Sequence, residues 1–286
     1  VTSLCDNNGK TITTLIDNAD LKAKVEKVAG KKEFFQFTTS EGVQLNGWMV
    51  KPRDFDASKK YPVVMYQYSG PGSQEVTDSW NLGFYGAGIF ESYLTEQGFI
   101  CACVDGRGTG ARGADFEKCT YLQLGLRESQ DQVETAIYLG SLPYVDKANI
   151  GIWGWSFGGY NTLMAMSVGN GTFKAGIAVA PPTDWKYYDS VYTERFMRTP
   201  KENFEGYAAT SPIRLAKDLQ GKLLLIHGTA DDNVHFQQTM DYAESLVQAG
   251  KQFEMQVYKD RNHSIYGGNT RYHLYTRMSN FLFDNL

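Results

Sequence analysis

Gly154-Trp155-Ser156-Phe157-Gly158 stands between the apolar run 150–153 and the helix-like stretch 159–168. That context, strand then G-x-S-x-G then helix, is the form of a nucleophile elbow, a tight turn that projects a serine hydroxyl clear of the backbone. Glycines two before and two after the serine remove the β-carbons that would collide in the turn, and Gly159 lets the following helix lie close.

Outward from the elbow, short apolar strands alternate with amphipathic helices. Strands are expected at 62–68, 99–104, 149–153, 175–180, 223–227 and 254–258, and helices at 89–96, 127–139, 159–168, 234–249 and 271–283. A β-hairpin signature, 34–39 and 45–50 around Ser40-Glu41-Gly42, precedes them and closes at Pro52. The pattern implies an α/β fold with a mostly parallel central sheet and helices on both faces, its chemistry gathered at the carboxyl ends of the strands. Residues 1–30 read as an extension or linker, with a short strand at 11–16 and a polar helix at 19–28 capped by Asp17 or Asn18, and 31–286 read as the main domain.

Composition narrows the function classes. The 286 residues suffice for one substantial core, and a net charge of -4 leaves no basic excess for neutralising phosphates, which argues against nucleic acid as a partner. No stretch approaches the ~18 apolar residues of a membrane span. The four cysteines are too few for a disulfide scaffold, and Cys101 and Cys103 are expected as small buried side chains of one strand. The chain opens at Val1-Thr2-Ser3 without methionine, as a processed or trimmed product would.

An elbow serine needs a base and an orienting acid, which in α/β-hydrolases follow in the order Ser, Asp or Glu, His. The buried strand 223–227 runs into Gly228-Thr229-Ala230-Asp231-Asp232-Asn233, and Asp260-Arg261-Asn262-His263 follows the next strand. Ser156, one of Asp231 or Asp232, and His263 can therefore converge, with His263 passing the serine proton to the leaving group. The other histidines fit structural places: His227 precedes the acid in the chain, His235 opens a helix, and His273 lies on a helix face. Gly108-Thr109-Gly110-Ala111-Arg112-Gly113 fits the dinucleotide spacing, but three residues separate it from its strand, and Asp115 and Glu117 stand where a pyrophosphate would sit. No cofactor or metal is implied.

Three strings carry a specific resemblance: 154–160 (Gly154 to Tyr160), 184–195 (Asp184-Trp185-Lys186-Tyr187-Tyr188-Asp189-Ser190-Val191-Tyr192-Thr193-Glu194-Arg195) and 227–238, from His227 to Gln238. With Tyr66-Gln67-Tyr68-Ser69-Gly70-Pro71 and 105–110, they make residues 31–286 resemble the α/β-hydrolase catalytic domain of dipeptidyl peptidases in the prolyl oligopeptidase family. The resemblance implies a triad of Ser156, Asp231 and His263, and an oxyanion hole from the Phe157 N–H and the Tyr68 hydroxyl. It also implies a proline pocket of Phe157, Pro182, Trp185, Tyr188, Tyr192 and Val234, with Asn233 holding the preceding carbonyl. An apolar cage suits a pyrrolidine ring, which has shape but no N–H. Phe157 and Pro182 depart from the tyrosine and valine common in the family.

The activity so implied is release of amino-terminal dipeptides after proline or alanine from peptide substrates. A broader esterase or acyl-peptidase, and a binding module that keeps the fold without chemistry, are the competing readings. The family also implies a β-propeller ahead of the hydrolase domain, absent from this chain, whose acidic pair grips the free amino end. Homodimers and export to periplasm or exterior follow by analogy alone.

Overall fold

The computed structural model describes residues 1–28, 30–79 and 88–286. In chain order the elements are β1 (Thr2–Cys5), β2 (Thr11–Ile16), α1 (Ala19–Val28), β3 (Lys32–Thr38), β4 (Gln44–Val50), β5 (Tyr61–Tyr66), α2 (Ile89–Glu96) and β6 (Ile100–Asp105). There follow α3 (Ala114–Lys118), α4 (Leu126–Ser141), β7 (Val145–Trp155), α5 (Phe157–Val168), β8 (Ala175–Val179), α6 (Ser190–Met197), α7 (Phe204–Ala209) and α8 (Pro212–Leu215). The chain ends with β9 (Lys222–Gly228), α9 (Phe236–Gln248), β10 (Glu254–Tyr258) and α10 (Thr270–Asn285).

Eight strands form one sheet in the order β10-β9-β8-β7-β5-β6-β4-β3. The run from β10 to β6 is parallel throughout, and β4 and β3 join antiparallel at one edge. Alternate residues of each strand feed opposite faces. Val63 and Met65 of β5 pack with Leu163 and Met166 of α5, whereas Val64 and Tyr66 pack with Met278 and Phe281 of α10. Both faces are therefore sealed, as an α/β-hydrolase sheet with near-continuous apolar strands requires. Cys101 and Cys103 are buried, unpaired thiols within β6. Among the described residues no helix is long and apolar enough to cross a membrane.

Several boundaries differ from the sequence expectation. β5 ends at Tyr66, so Tyr68 lies in the loop beyond it, where Ser69 adopts a positive φ of 66°. β7 is far longer than 149–153, because its polar start at Val145 pairs with Tyr61. α5 begins at Phe157 rather than 159, so the elbow glycine Gly158 already sits in the first helical turn. β1, α3, α7 and α8 are too short for periodicity to reveal. β1 and β2 form a separate two-stranded sheet, exposed along almost its whole length.

The glycine-rich loop after β6 is a packing device. Gly110 donates its N–H to the Ser73 carbonyl, and a β-carbon there would lie 2.9 Å from the Gly72 oxygen. Arg107 anchors the loop from inside: its Nη2 lies 2.6 Å from Asp131 Oδ1, its backbone N–H donates to Oδ2 at 2.7 Å, and Nη1 pairs with Glu41 of the β3–β4 turn. Arg107 and Asp131 are both buried, so removing the guanidinium leaves the Asp131 carboxylate without its ion-pair partner. Arg107→Ala is expected to cost about 3–5 kcal/mol in urea denaturation, and Arg107→Met combined with Asp131→Leu clearly less than the single change.

Candidate active site

Ser156 links β7 to α5 with φ 58° and ψ -120°, a strained left-handed conformation for a residue with a β-carbon. Close backbone contacts enforce it. The Ser156 N–H donates to the Val179 carbonyl of β8 at 2.8 Å. A β-carbon on Gly154 would run into the Gly158 carbonyl and come within 2.7 Å of the Gln67 oxygen, and one on Gly159 would lie 2.7 Å from the Val179 oxygen. Ser156 occupies the N-cap position, yet its side chain makes no capping hydrogen bond. Its hydroxyl is thus kept from the use a helix start ordinarily makes of serine. Phe157 is the first residue of the helix, where backbone N–H groups have no intrahelical partner.

The loops after β9 and β10 meet beside this turn. His263 Nδ1 lies 2.7 Å from Asp231 Oδ2. The other oxygen of Asp231 accepts the backbone N–H of Asn233 at 3.0 Å and of Val234 at 2.9 Å. Asp232 is exposed, so loop geometry turns Asp231 inward and its neighbour out. Burial alone would push the Asp231 carboxyl up, but hydrogen bonds from His227 and His263 outweigh it and hold the group well below the usual carboxylate range. The base loop is moored to the elbow. Trp155 Nε1 donates to the His263 backbone carbonyl at 2.9 Å, and Arg271 lies over the Trp155 ring while pairing with the Ser264 carbonyl. Ile265, fully buried, plugs the loop into the core.

An aromatic cluster starts at the residue after the serine. Phe157 packs at 6.0 Å from Tyr68, 5.4 Å from Tyr160 and 5.5 Å from Trp185, centroid to centroid. Trp185 continues to Tyr188 at 6.0 Å and Tyr192 at 6.1 Å. Tyr188 and Tyr192 cross edge to face at 5.3 Å. Burial pushes the Tyr192 phenol up, helped by Tyr68 and Tyr188 nearby, so it stays neutral at ordinary pH. The segment is held by short caps: Asp184 accepts from the Lys186 N–H and Asp189 from the Tyr192 N–H. Pro182 and Val234 are buried. Asn233 is exposed, and its Oδ1 accepts the Tyr188 hydroxyl at 2.7 Å, leaving Nδ2 as the donor for a ligand.

Sequence reasoning missed three of these links: Trp155 to the base loop, Tyr188 to Asn233, and His227 to Asp231. Only the last had a signal, since His227 ends a strand four residues before the acid.

The comparisons with known proteins fit this geometry. Residues 89–286 match the prolyl oligopeptidase family. The chain belongs to that family. It is 40% identical over 280 residues to dipeptidyl peptidase 4 of Bos taurus, covering 96% of this chain and 36% of the relative. It is 42% identical over 269 residues to a probable dipeptidyl-aminopeptidase B of Talaromyces marneffei, covering 93% and 29%. Among solved structures, dipeptidyl peptidase 4 of Porphyromonas gingivalis superposes with a TM-score of 0.93 at 57% identity, over 99% of this chain and 40% of that one. The chain thus spans well under half the length of these relatives.

The elbow's steric logic has a direct check. A β-carbon on Gly158 would run into the Gln67 carbonyl oxygen and lie 3.2 Å from the Tyr68 Cα. Gly158→Ala is expected to lower stability by about 1–3 kcal/mol in urea denaturation and to slow labelling of Ser156 by a fluorophosphonate. Normal labelling at unchanged stability would show that the turn does not depend on that approach.

Proposed function

We propose that residues 31–286 form the catalytic domain of a serine exopeptidase that releases dipeptides from peptides with proline, or less well alanine, in second place. Residues 1–30 then serve as the extension leading into it. One observation carries the reading: Phe157 joins two tasks, because its backbone N–H heads α5 beside Ser156 while its ring opens the Trp185, Tyr188 and Tyr192 wall. The bond to be broken and the residue to be recognised therefore lie side by side.

In this mechanism Ser156 Oγ attacks the carbonyl of the second residue while His263 takes its proton. Asp231 stays ionised, fixes the His263 tautomer through Nδ1 and stabilises the imidazolium. The negative oxygen that develops is met by the Phe157 N–H and the Tyr68 hydroxyl, each worth roughly 10² to 10³ in rate. His263 then protonates the departing amine, and water repeats the sequence on the acyl-enzyme. The proline ring fits against Phe157, Pro182, Trp185, Tyr188, Tyr192 and Val234, while Asn233 Nδ2 donates to the carbonyl before it. In the whole protein, a propeller in the remaining length of such relatives would supply the groups that hold the free amino end.

Glycyl-prolyl and glycyl-leucyl anilides compared on the intact protein test the selectivity. The prolyl substrate is expected to be favoured in kcat/KM by at least about a hundredfold. Equal rates overturn the peptidase reading in favour of a broad esterase. Asp231→Asn is expected to reduce kcat roughly 10³- to 10⁴-fold, and Ser156→Ala to abolish fluorophosphonate labelling. An unlabelled wild-type Ser156 would instead support a fold kept without chemistry.

A further inference from the structure

His227 lies at the carboxyl end of β9 and is fully buried. Its Nε2 is 3.1 Å from Asp231 Oδ2 and 2.8 Å from the Val234 carbonyl oxygen. Its Nδ1 is 2.7 Å from the Thr239 hydroxyl on α9, and the Phe236 ring packs against the imidazole edge to face at 5.6 Å. Two acceptors converge on Nε2, so that nitrogen must carry a proton, whereas a hydroxyl can serve Nδ1 in either direction. The Asp231 oxygen it reaches is the one His263 reaches.

We propose that His227 is a positioning residue for the base: a proton donor, fixed on the sheet, that sets the plane of the Asp231 carboxylate and ties it through Val234 to the substrate wall. The inference rests on the Ser156, Asp231 and His263 reading. An Asp carboxylate turns easily about its last bond. The two amides hold Oδ1, and without His227 the orientation of Oδ2 would depend on His263, which sits on a partly exposed loop. His227 comes instead from a strand paired on both sides, by β8 and β10. The same ring nitrogen holds the Val234 carbonyl, just after Asn233, so acid orientation and substrate contact share one anchor. The titratable groups facing His227 are Asp231 on its own loop and, across that carboxylate, His263; α9 presents Thr239 and Phe236, neither charged.

The test is the second-order rate of Ser156 labelling by a fluorophosphonate on the intact protein. His227→Phe keeps a ring but no donor, and is expected to label about ten- to a hundredfold more slowly, the loss of a hydrogen bond to a charged group. His227→Gln retains an N–H near the Nε2 position and should recover most of the rate. A wild-type rate in His227→Phe, or equal losses in both variants, overturns the proposal. Failure of the wild type to label would strike the triad reading instead. Should His227→Phe not fold, ring nitrogen NMR of the wild type decides, because a deprotonated Nε2 on His227 rules out the donor.

Discussion

The architecture turns on one backbone constraint: three parallel strands close on a single turn. β7 arrives between β5 and β8, and the chain must leave it as a helix within one residue. Gly154 and Gly158 crowd the Gln67 carbonyl at the end of β5, and Gly159 crowds the Val179 carbonyl of β8. Ser156, caught between them, takes a positive φ while its N–H donates to the same Val179 carbonyl. The strain is held by the sheet, since relaxing the turn would separate strands whose side chains fill both cores. Nucleophile geometry is consequently a property of the whole parallel sheet.

The second fixed point is the Asp231 carboxylate, which collects four N–H donors from one short loop, one strand end and the opposite loop. A buried carboxylate so surrounded has little reason to take up a proton, despite the cost of its burial. Its donors also bind pieces of chain that would otherwise be independent. Asn233 and Val234 belong to the proposed substrate wall, His263 to the loop after β10, and His227 to the sheet. Trp155 closes the circuit from the other side by holding the His263 carbonyl.

Sequence alone disclosed the parts of this arrangement that depend on local rules. The elbow was legible because strand, glycine and helix signals coincide within a few residues, and the positions of Asp231 and His263 because each follows an apolar strand. The choice between Asp231 and Asp232 was not decidable from residue type, since both are carboxylates on one loop, and it came from resemblance. The pocket was invisible for a different reason: Trp185, Tyr188 and Tyr192 sit on a 3₁₀ turn and a short capped helix, where no periodicity distinguishes a ligand wall from core. His227 breaks the chain order of acid and base, which in the sequence points to a structural place. Order in sequence says nothing about a hydrogen bond between residues four apart at the end of a strand.

In the proposed mechanism Phe157 joins wall and oxyanion donor, which limits how selectivity can change. Its ring is wedged among Tyr68, Tyr160 and Trp185, so a smaller side chain would leave a cavity beside the first turn of α5, and a larger one would push on the loop that carries Tyr68. Either change reaches the two donors proposed to meet the developing oxyanion. Variation is mechanically easier at Pro182, whose backbone carries neither the nucleophile nor the acid. A substrate preference in such a fold is therefore best altered at a wall position of this kind, where recognition and chemistry are carried by different pieces of chain.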